Sequence, residues 1–158
     1  CTVTLLSPSK TYNIAGLYTS VAVIPDPELR RAFARARADL LPPVNTFGFT
    51  ALRAAYQHAA DWRAELLAYL RGNCDLVMDA VAAMPGLSMI RPEAMFLAWI
   101  DCRAAGMESP AACFEAAGVG LSDGAAFGAP GFVRLNFGCP RALLSEALAR
   151  MARAVEAV

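Results

Sequence analysis

Lys10 is the only lysine among 158 residues, against thirteen arginines running from Arg30 to Arg153. A chain that uses arginine wherever a generic positive charge suffices keeps an ammonium for work a guanidinium cannot do. An ammonium can lose a proton near neutral pH, and a primary amine can form a Schiff base with an aldehyde. The plainer alternative is a surface lysine left by chance in an Ala/Arg-rich chain. Lys10 lies in Ser7-Pro8-Ser9-Lys10-Thr11-Tyr12-Asn13, directly after the apolar run Val3-Thr4-Leu5-Leu6, so it is placed at the end of what reads as a buried strand. The second candidate is Arg134. In the strand expected over Phe132 to Gly138, Val133, Leu135 and Phe137 point to one face, while Arg134, Asn136 and Gly138 point to the other. The planar fork of such an arginine can hold a carboxylate through two parallel charge-assisted hydrogen bonds. The competing reading pairs it with an Asp or Glu at a sheet edge.

Other chemistries are poorly served. The five cysteines (Cys1, Cys74, Cys102, Cys113, Cys139) contain no CxxC pair, and the single histidine, His58, has no cysteine cluster near it. Neither a zinc site nor a disulfide framework is expected, and buried reduced thiols fit a reducing, cytoplasmic compartment. Formal net charge is zero, which gives no signature of nucleic acid or of an anionic membrane surface. Hydrophobic residues reach 57%, yet no run approaches the ~18 apolar residues of a membrane span. Ser7-Pro8-Ser9-Lys10 also satisfies the S-x-x-K spacing of penicillin-binding proteins and β-lactamases, with Ser7 as acyl nucleophile. That chemistry needs further S-D-N and K-T-G elements; Ser122-Asp123-Gly124 lacks the Asn, and Lys10-Thr11-Tyr12 is not K-T-G.

The elements that must position these residues read as mixed α/β. Strands are expected over residues 2–6 and Thr19–Ile24, the second stopped by Pro25 and Pro27, then a helix over Glu28–Leu41 closed by Pro42-Pro43. An amphipathic segment follows from about Phe49 to Ala59. From Asp61 to Met84 the apolar positions Trp62, Leu66, Leu70, Val77, Val81 and Met84 keep helical spacing, with Asp61 as N-cap and Pro85-Gly86 as stop. Gly72 costs that helix about 1 kcal/mol relative to Ala. A helix this long often joins two domains. Beyond it come a strand over Phe96–Cys102, a helix over Pro110–Ala117, a short strand over Val119–Ser122 and the strand carrying Arg134. A last helix has Pro140 in its first turn and one apolar face of Leu144, Leu148, Met151 and Val155. The chain begins at Cys1 without an initiator Met and reads as a piece of something longer.

The stretch Ser7 to Leu17 (SPSKTYNIAGL) resembles the cofactor-lysine segment of fold-type I pyridoxal-phosphate enzymes, the aminotransferase class I/II group, and within it the cystathionine β-lyase or C–S lyase branch. Gly131 to Arg141 (GFVRLNFGCPR) is similar to that branch's carboxylate-binding segment. Ala54-Ala55-Tyr56-Gln57, Trp62 and Phe96-Leu97-Ala98-Trp99-Ile100-Asp101 fall where the family has comparable residues, so the resemblance spans essentially the whole chain. It implies an α/β fold in which residues 1–64 are the C-terminal part of the large cofactor-binding domain and residues 65–158 the small C-terminal domain. It further implies that Lys10 carries pyridoxal 5'-phosphate as a Schiff base, that Ser7 offers its hydroxyl to the phosphate, and that Arg134 grips the α-carboxylate of an amino-acid substrate. A homodimeric parent enzyme is implied as well, with the groups for the pyridine nitrogen and most of the phosphate upstream, so that the piece alone would be inactive. Where many relatives carry an arginine eight residues after the lysine, this chain has Tyr18, which shifts the phosphate contacts onto Ser7 and groups elsewhere. Lys10 and Arg134 serve β-elimination and transamination alike, so an aminotransferase is the near alternative. A non-catalytic, cofactor-sensing domain of a transcription regulator is the alternative from another class.

Overall fold

A computed structural model describes residues 1–38 and 43–158. It divides into two compact units, Cys1–Leu66 and Leu67–Val158.

In the first unit, β1 (Thr4–Leu6) and β2 (Val21–Val23) form a two-stranded antiparallel ribbon with Leu5 opposite Ala22. The strand expected at the lysine's entrance forms, but its apolar side chains are left uncovered, with Leu5 70% exposed and Leu6 47%. The apolar pattern is real, but among the described residues of the unit no second sheet lies over it. Helix α1 spans Pro27–Arg37, capped by Asp26, whose carboxylate accepts from the Glu28 and Leu29 N–H groups. The expected end at Leu41 and the stop at Pro42 fall outside the described residues. Helix α2 (Thr46–His58) begins three residues before the expected amphipathic segment, because the Asn45 side chain caps it by accepting from Gly48 N–H.

Helix α3 runs Ala60–Ala83, and the division between the units falls within it. Asp61 lies in its first turn rather than at the cap, a two-residue shift at a boundary. In the second unit a four-stranded antiparallel sheet has the order β3-β4-β6-β5, formed by Ser88–Met89, Leu97–Asp101, Phe132–Asn136 and Ser122–Asp123. The two-residue β3 carries too little pattern to be expected from sequence. β5 comes later than expected, since Val119 turns inward instead and is buried. Helices α4 (Pro110–Ala116) and α5 (Arg141–Glu156) complete the unit, with Pro140 just before α5 rather than within its first turn. The alternation read along β6 holds: Val133, Leu135 and Phe137 enter the core. They meet Ala98 and Ile100 of β4, Val77 and Val81 of α3, Phe114 of α4, and Leu144, Leu148 and Met151 of α5. The opposite sheet face is left for Arg134.

Candidate functional site

The lysine segment leaves β1 as a turn whose backbone closes on itself: Tyr12 N–H donates to Pro8 O at 2.9 Å, and Ile14 N–H to Ser9 O at 3.1 Å. Ser7 Oγ donates to Ser9 Oγ at 2.9 Å and accepts from Ser9 N–H at 3.2 Å, which aligns two hydroxyls before the lysine. Pro8 is buried, fixing the start of the turn. Tyr12 anchors its far side, stacking on Trp62 at 6.4 Å and meeting Tyr56 edge-on at 5.5 Å. Downstream, Leu17 O accepts from both Thr19 Oγ1 (3.0 Å) and Asn45 Nδ2 (2.7 Å), tying the segment to the start of α2. Lys10 itself is exposed and has no ion-pair partner among the described residues. A primary amine is thus presented on a backbone held from both sides. Tyr18 is 87% exposed with left-handed backbone, and its phenol brings no positive charge.

In the second unit, Arg134 occupies the middle of β6, an interior strand, with Trp99 of β4 and Ser122 of β5 as its cross-strand partners. Among the described residues the ion pairs are Arg91–Asp75, Arg103–Asp101 and Arg150–Glu146. Arg134 belongs to none of them, so the sheet-edge ion pair weighed from sequence is not made. Its Nη2 donates instead to Ser122 Oγ at 3.1 Å, and its Cζ lies 4.6 Å from the Phe127 ring centroid. The rings continue along this face: Trp99 meets Phe127 edge-on at 5.8 Å and stacks on Phe132 at 5.6 Å. Arg103 covers Phe132 at 4.8 Å while its guanidinium and backbone N–H hold Asp101. The Arg103 side chain, then its N–H, pulls the Asp101 carboxyl below its ordinary value. Asp101 is therefore a satisfied anion, leaving Arg134 as a half-buried cation without one among the described residues.

Sequence reasoning missed Ser122 and Phe127, because their approach to Arg134 depends on strand register and on the 3-10 turn Gly124–Phe127. It also missed the fully buried Asn73 of α3. Asn73 Nδ2 donates to Phe137 O (2.9 Å) and Cys139 O (3.0 Å), and its Oδ1 accepts from Arg141 Nε (3.0 Å). Arg141 lies across α3 over the Tyr69 ring, where a Cβ on Gly72 would come within 2.7 Å of Nη2. The helix-weakening glycine thus makes room for the clasp that fixes the exit of β6. Among the described residues no group of His, Cys, Asp and Glu could hold a metal ion, and no helix is long and apolar enough to cross a membrane.

Comparison with known proteins places this arrangement. The chain is 36% identical over 160 residues to the cystathionine β-lyase PatB of Bacillus subtilis (strain 168), covering 97% of this chain and 41% of that protein. The crystal structure of OvoB superposes with a TM-score of 0.94 at 50% identity, over 99% of this chain and 41% of that one. Cystalysin from Treponema denticola, whose crystal structure contains pyridoxal 5'-phosphate, superposes with a TM-score of 0.89 at 29% identity, over 98% and 41%. The chain therefore spans about two fifths of the length of the curated relative it matches. The family description Aminotransferase class I and II matches residues 2–151, taking in both the lysine turn and the arginine strand: the chain belongs to the aminotransferase class I and II family.

Proposed function

We propose that this chain is the C-terminal portion of a pyridoxal-phosphate-dependent C–S β-lyase of the cystathionine β-lyase kind. Residues 1–64 are read as the tail of the large cofactor-binding domain, and residues 65–158 as the small domain. The observation that carries this is the amine of the chain's one lysine, Lys10, exposed and without an ion-pair partner among the described residues, on a turn anchored at Pro8, Tyr12 and Leu17. The residues present fit the cofactor: an amine for its aldehyde, and the aligned Ser7 hydroxyl for its phosphate. When bound, pyridoxal phosphate supplies the electron sink for the charge left at the substrate Cα.

The chain's own residues do the rest. Arg134 holds the α-carboxylate with the donors that Ser122 does not engage. Lys10 Nζ takes the Cα proton, the thiolate leaves from Cβ and is protonated, and one water hydrolyses the released 2-aminoacrylate, giving overall a thiol, a keto acid and ammonia. The reading also takes the parent as a homodimer acting on an amino acid in the reducing cytoplasm, which suits five cysteines that are all free.

The test uses the full-length enzyme. Lys10→Ala and Lys10→Arg should both abolish the near-visible absorbance of bound cofactor, the second because a guanidinium cannot replace the amine. A spectrum unchanged in either variant removes Lys10 from the site. Wild-type enzyme should release keto acid and thiol from cystathionine; turnover only with an amino donor and a keto acid would make it an aminotransferase.

A further inference from the structure

The Arg134 guanidinium is held from outside the strand that carries it. Ser122 Oγ takes one Nη2 hydrogen bond at 3.1 Å, and the Phe127 ring lies 4.6 Å from Cζ. Phe127 owes its place to the 3-10 turn Gly124–Phe127, which is pressed against the sheet. Gly124 is buried, and a Cβ there would come within 2.4 Å of Ala129 O and 2.6 Å of Phe132 O. Asp123 closes the start of the turn by accepting from Ala125 N–H at 2.9 Å, and Trp99 braces the ring from its edge. Two elements, β5 and the 3-10 turn, thus meet one guanidinium, and neither contact is a carboxylate. With Cζ over the Phe127 ring and a hydroxyl on Nη2, the remaining guanidinium donors have no partner among the described residues. That is the arrangement a carboxylate needs for two parallel hydrogen bonds. An arginine left to wander would instead lose side-chain freedom on binding and weaken it.

We propose that Phe127 and Ser122 are positioning residues that set the Arg134 fork for the substrate carboxylate before the substrate arrives, Phe127 having the larger share. This rests on the reading of Arg134 as the carboxylate holder. Phe127 is 54% exposed, so changing it opens no core cavity.

The experiment is steady-state kinetics of the full-length, cofactor-loaded enzyme on cystathionine. Phe127→Leu should raise KM about 3- to 30-fold with kcat within about twofold, and Phe127→Tyr, which restores a ring, should recover most of the loss. Ser122→Ala removes a single oxygen and should raise KM about 2- to 10-fold, giving a second readout if Phe127→Leu folds poorly. In an Arg134→Lys background, Phe127→Leu should add less than about twofold, because the planar cation it orients is gone. If Arg134→Lys raises KM while Phe127→Leu and Ser122→Ala do not, the positioning role is wrong and the carboxylate reading stands. If Arg134→Lys leaves KM unchanged, the carboxylate reading falls and the positioning role with it. Equal losses in kcat and KM that Phe127→Tyr does not repair would make the ring merely structural.

Discussion

The two units use apolar residues of the same kinds and bury them to very different extents. In the second, the inward residues of β4 and β6 (Ala98, Ile100, Val133, Leu135) are at most 5% exposed, with α3, α4 and α5 supplying the other side of the core. In the first, Leu5, Leu6 and Val23 of the ribbon and Phe47, Phe49 and Tyr56 of α2 are exposed. An open apolar groove lined by Leu6, Val21, Phe49, Leu52 and Tyr56 runs between ribbon and helix. An alternating pattern says which face seeks burial. It does not say that the covering surface belongs to the same stretch of chain.

The largest test of this contrast is a pair of truncations. Phe114→Ala, at a site with no exposed area, should destabilise by about 3–5 kcal/mol. Leu5→Ala should change stability by less than about 0.5 kcal/mol, since its side chain is already largely in water. Chemical denaturation of each variant reads both. A large loss for Leu5→Ala would mean that the ribbon is covered in solution, and the contrast would collapse. Next, Asn73→Ala strips the partners from Phe137 O, Cys139 O and Arg141 Nε together, and about 1–3 kcal/mol should go with them. A neutral Asn73→Ala would show that the clasp on β6 is held by Tyr69 and Arg141 alone.

The remaining test is a matter of pH. Burial, with the Asp101 charge second, pushes the Cys102 thiol up to about 12 from an ordinary 9.0. Because the folded value is the higher, the stabilisation is complete below pH 9.0 and fades as pH rises through about 12. Alkaline unfolding curves should show a decline that Cys102→Ala lacks. At pH 8 a thiol reagent should modify exposed Cys1 promptly and Cys102 only after unfolding. Prompt labelling of Cys102 would show that the second unit opens as readily as the first.

What could be read from sequence was what repeats locally. The period of α3, the alternation of β6 and the apolar stripe of α5 each follow from neighbours within a few residues, and all three hold. Lys10 and Arg134 stood out by residue type, and Arg134 also by the face of the strand it occupies. Register was not readable: that Ser122 and Trp99 flank Arg134 depends on pairing across long loops. Leu5 read as strand from its neighbours alone, and β propensity is blind to whether a second layer covers it. Gly72 read as a helix weakness, and only the path of Arg141 across α3 shows why a larger residue would crowd it.

The stack of rings beside Arg134 has an optical consequence. The chain holds two tryptophans, and they divide one to each unit: Trp62, 44% exposed and stacked on Tyr12, and Trp99, half-buried between Phe127 and Phe132. Emission from a Trp62→Phe variant therefore reports on the second unit alone, and from a Trp99→Phe variant on the first. Each half of the molecule comes with its own fluorophore, and Trp99 sits one ring away from the Arg134 cation.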